Sequence, residues 1–184
     1  MKIFDCFQFF DEDMMLDLRL NILDKYVDKF VIVENLFMHS GKKKKQNFRI
    51  EKYKKFEKKI EYILVDKLPG NLVDINSVPK KQKSNTVIDN TLKIEHNQRN
   101  KISEGLKDAS DDDLVLISDV DEIPKLKDIK NKIHKKIICF NQKMFCYKFN
   151  LAFENTRWIG TKAVLKKNLL NAQWLRDIKD RQYP

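Results

Sequence analysis

Short apolar runs rich in β-branched residues alternate along this chain with segments of helical periodicity. That alternation constrains the fold most, because strands joined by helices build a sheet that is largely parallel and covered on both faces. Lys2 to Phe9, Phe30 to Glu34 (FVIVE) and Ile60 to Val65 read as strands, and Leu114 to Ile117 (LVLI) has the unbroken apolar look of a strand buried on both sides. Between them, residues 13 to 27 place Met15, Leu18 and Ile22, and one step round Leu16, Leu20, Leu23 and Val27, at helical spacing. A short lysine-rich helix is expected around Phe48, Tyr53 and Phe56, another helix over Leu92 to Leu106, and a further one from Pro124 through Ile133. The stretch 66 to 90, with Pro69, Gly70 and Pro79, reads as a long loop, Asp111 to Asp113 as a solvated turn, and Lys136 to Phe153 as one or two strands. The fold class expected is α/β, with a mostly parallel central sheet flanked by helices.

The 184 residues suit a single domain spanning 1–184. The net charge of +10 would favour polyanions, yet lysine supplies nearly all of it, with only six arginines and little interleaved aromatic material. This is the pattern of a solvated coat, and no specific nucleic-acid partner is expected. Cys6, Cys139 and Cys146 lack metal-ligand spacing and are expected as free thiols. The N-terminus carries acids at Asp5 and Asp11 to Asp13 instead of a signal-peptide core, and no run approaches the ~20 apolar residues of a membrane span. The expectation is a cytoplasmic protein without a transmembrane segment.

The segment that carries chemistry is Ser118-Asp119-Val120-Asp121-Glu122, directly after the LVLI run. Ligands gather at the carboxyl ends of strands in α/β sheets. If the chain stays extended there, Asp119 and Asp121 point to one side while Val120 turns to the core. Two such carboxylates suit Mg²⁺ or Mn²⁺, which keep positions open for water and phosphate oxygens. Glu34 ends another buried run and is expected on the same sheet edge. His39, His96 and His134 show no partner pattern.

The segments FDCFQFFDE, LRLNIL, VDKFVIVEN, HSGKKKK, EHNQRN, GLKDASDDDLVLISDVDEIP, RWIGT and LRD, in this order and spacing, resemble glycosyltransferase family 17. That family includes the β-1,4-N-acetylglucosaminyltransferase that adds bisecting GlcNAc to N-glycans. The resemblance covers essentially the whole chain. It implies a GT-A type nucleotide-sugar-binding fold, a UDP-sugar donor (UDP-GlcNAc in the characterised branch), a glycan acceptor, a divalent metal and transfer with inversion. Asp119 and Asp121 match the family's metal-binding pair, with Glu122 following. Glu34, Lys44, Glu95, Gln98 and Arg99 match polar positions expected near the donor, and Glu12 and Arg19 match positions without an assigned role.

The chain departs from the family where Lys43 and Lys45 replace prolines, where Leu92 replaces an aromatic residue, and beyond Tyr183-Pro184, where a Gly-Trp-His-Phe segment usually follows. The last departure leads to the expectation that part of the acceptor side is missing. An inverting transfer needs a carboxylate base for the acceptor hydroxyl, and Glu154, Asp177 and Asp180 stand downstream with nothing to select among them. Two alternatives stay open: a Toprim-like metal-dependent nucleic-acid enzyme, which also combines a strand-ending glutamate with a later D-x-D, and a non-catalytic nucleotide-sugar-binding remnant.

Overall fold

The computed structural model describes residues 1–146, 150–153 and 158–179. Six strands form one sheet: β1 (Ile3–Phe9), β2 (Lys29–Asn35), β3 (Ile60–Val65), β4 (Leu114–Asp119), β5 (Ile138–Gln142) and β6 (Trp158–Leu165), in the order β3-β2-β1-β4-β6-β5. Helices α1 (Asp13–Leu23), α2 (Lys83–Asn100) and α3 (Ala172–Asp177) flank it. The first four strands pair in parallel, as the alternating pattern requires. The expectation of a mostly parallel sheet is corrected at the other edge, where β6 pairs antiparallel with both β4 and β5, so the sheet is mixed. Strand direction is set by pairing with β4, and WIGTKAVL, broken by Gly160 and Lys162, has no local feature that announces it.

Several local expectations shift for reasons visible in the packing. On α1 the buried stripe is Leu16, Arg19, Leu20 and Leu23, whereas Leu18 and Ile22 face outward. Helix α2 starts at Lys83, well inside the segment read as loop. Its first half, with Val87 and Ile88 exposed, buries too little to leave an apolar period, and Asn90 holds the preceding loop by bonding both backbone groups of Val73. The helix expected after Pro124 is only a 3₁₀ turn, Ile129–Lys132. Asp113 is no solvated turn residue. It is buried and accepts from the N–H groups of Lys2 (2.6 Å) and Ser110 (2.8 Å), tying the start of β1 to that of β4.

Strand periodicity sorts the core into two layers. Ile3, Phe7, Phe30, Ile32, Leu114 and Leu116 pack with α1 and with Phe48, Tyr53 and Phe56 on one face. Phe4, Cys6, Val31, Val33, Val115 and Ile117 pack on the other with Ile102, Leu106 and Leu175. Burial pushes the Cys6 thiol well above its usual range, so it stays protonated and inert there. At the strand ends the same parity puts Asp5, Glu34 and Ser118 on the α1 face, and Gln8, Asn35 and Asp119 on the α2 face. The chain runs β1, β2, β3 to one side and returns to β4 on the other side of β1. The crevice between β1 and β4 is therefore the topological switch point, where α/β sheets bind ligands. Gln8 and Asp119 are register partners across it.

Gly105 closes the 3₁₀ segment Lys101–Leu106 onto the sheet, and a Cβ there would lie 2.5 Å from Val31 Cγ1 and 3.1 Å from Ile63 Cδ1. Both contacts are buried strand side chains with little room to yield. Gly105→Ala is expected to lower stability by about 1–3 kcal/mol, as overpacking does. A urea midpoint unchanged from wild type would show that this layer repacks freely.

Candidate functional site

Arg19 builds the floor of the site from below. Its side chain is fully buried, and it forms a two-bond pair with Asp5, Nε to Oδ2 at 2.7 Å and Nη2 to Oδ1 at 2.6 Å. Nη1 donates to the carbonyls of Asp119 (3.0 Å), Val120 (3.1 Å) and Glu122 (3.1 Å), and the guanidinium lies over the Phe7 ring. Three carbonyls converging on one cation bend the chain immediately after β4. The N–H of Glu122 closes the bend by donating to the Asp119 carbonyl at 3.1 Å. The extended geometry expected for the two aspartates is thus replaced by a turn. Val120 still points into the core, and both carboxylates still border the same space.

Glu122 holds the turn from inside. It is buried, and its Oε2 accepts from the Asp119 N–H at 3.0 Å while Oε1 accepts from Trp158 Nε1 at 2.9 Å. Arg176 from α3 donates to both Glu122 oxygens at 3.0 Å and to Asp119 Oδ2 at 2.6 Å. Burial opposes a charge on Arg176, but Asp119 and Glu122 more than offset it and raise its pKa further. Burial first, and Arg176 second, pull the nearby Lys162 below the usual lysine range. With its oxygens bonded in this way, Glu122 positions Asp119, and together with Trp158 it also borders a cleft.

From the other side, Arg99 on α2 donates from Nη2 to Asp119 Oδ1 (3.1 Å) and Glu95 Oε1 (2.8 Å), and from Nη1 to Gln173 Oε1 (2.5 Å). Asp119 is therefore held by an arginine on each oxygen, while Asp121 is exposed and its carboxylate makes no hydrogen bond or ion pair among the described residues. Two open clefts of about 700 Å³ each meet at this pair. One is bordered by Gln8, Asn35, Glu95, Gln98 and Arg99, with Phe10 and Phe37 at its rim. The other is bordered by Met14, Gln142, Met144, Phe145 and Trp158.

Of the residues singled out in the sequence, Asp119, Asp121, Glu95, Gln98 and Arg99 come together at the first cleft. Glu34 and Lys44 do not border either cleft. Glu34 is fully buried on the α1 face, where it takes the Lys44 ammonium, the N–H groups of Asn47 (2.7 Å) and Phe48 (3.0 Å) and the Tyr62 hydroxyl (2.8 Å). Burial, and then the bond to Glu34 and its charge, push the Tyr62 phenol far above its usual range. The pair fastens the lysine-rich loop to the sheet and lies on the opposite face from Asp119. Glu34 and the D-x-D therefore do not form the single carboxylate set that a Toprim-like centre would need. Among the proposed bases, Asp177 is exposed, accepts from Gln173 Nε2 at 2.8 Å and borders a third cleft, which it shares with Asp119, Arg99 and Arg176, whereas Glu154 and Asp180 lie outside the described residues.

Sequence reasoning missed Gln8, Asn35 and Arg176. The first two were recoverable from parity, since they stand two steps past Cys6 and Val33 on the α2 face; Arg176 had no signal beyond its LRD segment. Two buried donors near the first cleft have no acceptor among the described residues, Asn35 Nδ2 and Arg99 Nε. Each such omission costs about 1–3 kcal/mol, so native structures keep few.

A family model described as glycosyltransferase family 17 matches residues 1–173. No curated protein and no solved structure matches the chain.

Removing the Arg19 cation would leave Asp5 buried and alone and free three carbonyls of the turn. Arg19→Met is expected to cost roughly 3–5 kcal/mol, the usual effect of breaking a buried pair. Asp5→Leu combined with Arg19→Met should recover part of that loss, because no lone charge remains. Urea unfolding of the two variants measures this, and a single variant as stable as wild type would mean that water reaches Asp5.

Proposed function

The chain belongs to glycosyltransferase family 17, and on that premise we propose that it moves the sugar of a UDP-sugar, N-acetylglucosamine in our reading, to a glycan acceptor. We read the fold as GT-A type and the transfer as inverting and dependent on a divalent cation. The observation that carries this reading is the placement of Asp119 and Asp121 at the carboxyl end of β4, beside the switch point, where two clefts meet. A donor in the first cleft and an acceptor in the second would face each other across these carboxylates. The indole of Trp158 and the ring of Phe145 offer the second cleft flat apolar surfaces.

The donor set fits Mg²⁺ or Mn²⁺. It is made of the hard oxygens of two carboxylates, that of Asp121 unengaged among the described residues, and no third His, Cys, Asp or Glu completes a metal cluster among them. Such cations take their remaining ligands from water and substrate phosphates. Asp119 and Asp121 would hold the ion, which when bound supplies charge neutralisation for the leaving diphosphate. Arg99 and Arg176 fix the orientation of Asp119 from both sides. They also bring positive charge to the place where the diphosphate becomes more negative, in a partly enclosed site where such charge acts strongly.

Calorimetry of UDP with Mn²⁺, set against the same titration in chelator, tests the reading. Binding is expected to weaken at least tenfold in chelator. Asp121→Asn should show the same weakness with Mn²⁺ present, yet unfold within about 0.5 kcal/mol of wild type, because its side chain has no partner to lose. Asp119→Asn should weaken binding and also lower stability, since two arginines lose a charged acceptor. Equal UDP affinity with and without metal would overturn the metal-dependent reading, and transfer of labelled N-acetylglucosamine to no glycan in an acceptor panel would overturn catalysis in favour of a binding remnant.

A further inference from the structure

Asn35 ends β2 and is 2% exposed, on the same sheet face as Gln8 and Asp119 and beneath α2. Its Oδ1 accepts from the Phe37 N–H at 3.0 Å, which determines the orientation of the amide. The other end, Nδ2, is the buried donor with no acceptor. Buried amides are normally satisfied, so a donor left open at the edge of a ligand cleft indicates a bound group that brings an acceptor. Gln98, also bordering the cleft, donates its Nε2 to the Val33 carbonyl at 2.9 Å and leaves Oε1 as an acceptor. A donor from Asn35 and an acceptor from Gln98 on the border of one cleft can together complement a flat ring edge carrying C=O next to N–H. Phe10 and Phe37 at the rim suit the faces of such a ring.

Resting on the reading that a nucleotide sugar occupies this cleft, we propose that Asn35 selects the base. Its Nδ2 donates to the O4 carbonyl of uracil, the position at which cytosine carries its exocyclic amino group and would present a second donor to Asn35. A site built to hydrogen-bond one group discriminates strongly against an analogue that leaves its buried polar atoms unpaired.

The test is calorimetry of UDP and of CDP, each with Mn²⁺, on wild type, Asn35→Asp and Asn35→Ala, with thermal melts of the free proteins. Wild type is expected to prefer UDP by at least tenfold. Asn35→Asp keeps the acceptor for Phe37 and exchanges the open donor for an acceptor, so UDP affinity should fall at least tenfold while CDP affinity holds or rises, and the preference shrinks or inverts. Asn35→Ala should lose UDP affinity and bring the ratio towards one. A wild-type ratio near one overturns the proposal without any variant, as does a folded Asn35→Asp that keeps the wild-type ratio. Failure of wild type to bind any nucleoside diphosphate would instead overturn the donor reading beneath it.

Discussion

The buried guanidinium of Arg19 is the interaction on which the rest of the site depends. It neutralises Asp5 inside the sheet and gathers the carbonyls of Asp119, Val120 and Glu122 into one turn. A pair of charges in a fully buried place is not there for its own stability, since desolvation consumes most of the attraction. What it gives is a geometry. Arginine has five donors in a rigid fork, and this fork satisfies a carboxylate, a hydroxyl and three carbonyls at once, which no apolar side chain could do.

Above that floor the carboxylates divide their roles by burial and by partner. Glu122 has every oxygen engaged and acts as a strut between the turn, β6 and α3. Asp119 is drawn between Arg99 and Arg176, whereas Asp121 reaches solvent without a partner among the described residues. A ligand cation near Asp119 would therefore compete with two fixed positive charges, and phosphate oxygens would give those arginines a new acceptor. Two buried donors at this place, Arg99 Nε and Asn35 Nδ2, have no acceptor among the described residues.

The two faces of the sheet account for which family-typical residues are structural and which border the clefts. Glu34 and Asn35 are neighbours in the chain but point to opposite sides. One anchors the loop carrying Lys44 and the stacked rings of Phe48 and Tyr62, and the other borders the cleft under α2. A shift of one position along a strand changes a side chain from scaffold to site.

The sequence by itself determined the four parallel strands, because Val, Ile and Phe runs of that length can be buried only in a covered sheet, and it determined that Asp119 and Asp121 follow the last of them. Helical spacing over Leu92 to Leu106 put EHNQRN on a helix, and the family resemblance, not the spacing, singled out Glu95, Gln98 and Arg99 on it. Only the tertiary structure decided that β6 runs antiparallel beside β4, that Arg176 arrives from α3 to hold Asp119, and that Arg19 bends the turn. Each of these rests on contacts between residues tens of positions apart, with Arg19 and Asp119 separated by a hundred. Local periodicity records which face of an element is apolar; it carries no information on which distant charge will meet it.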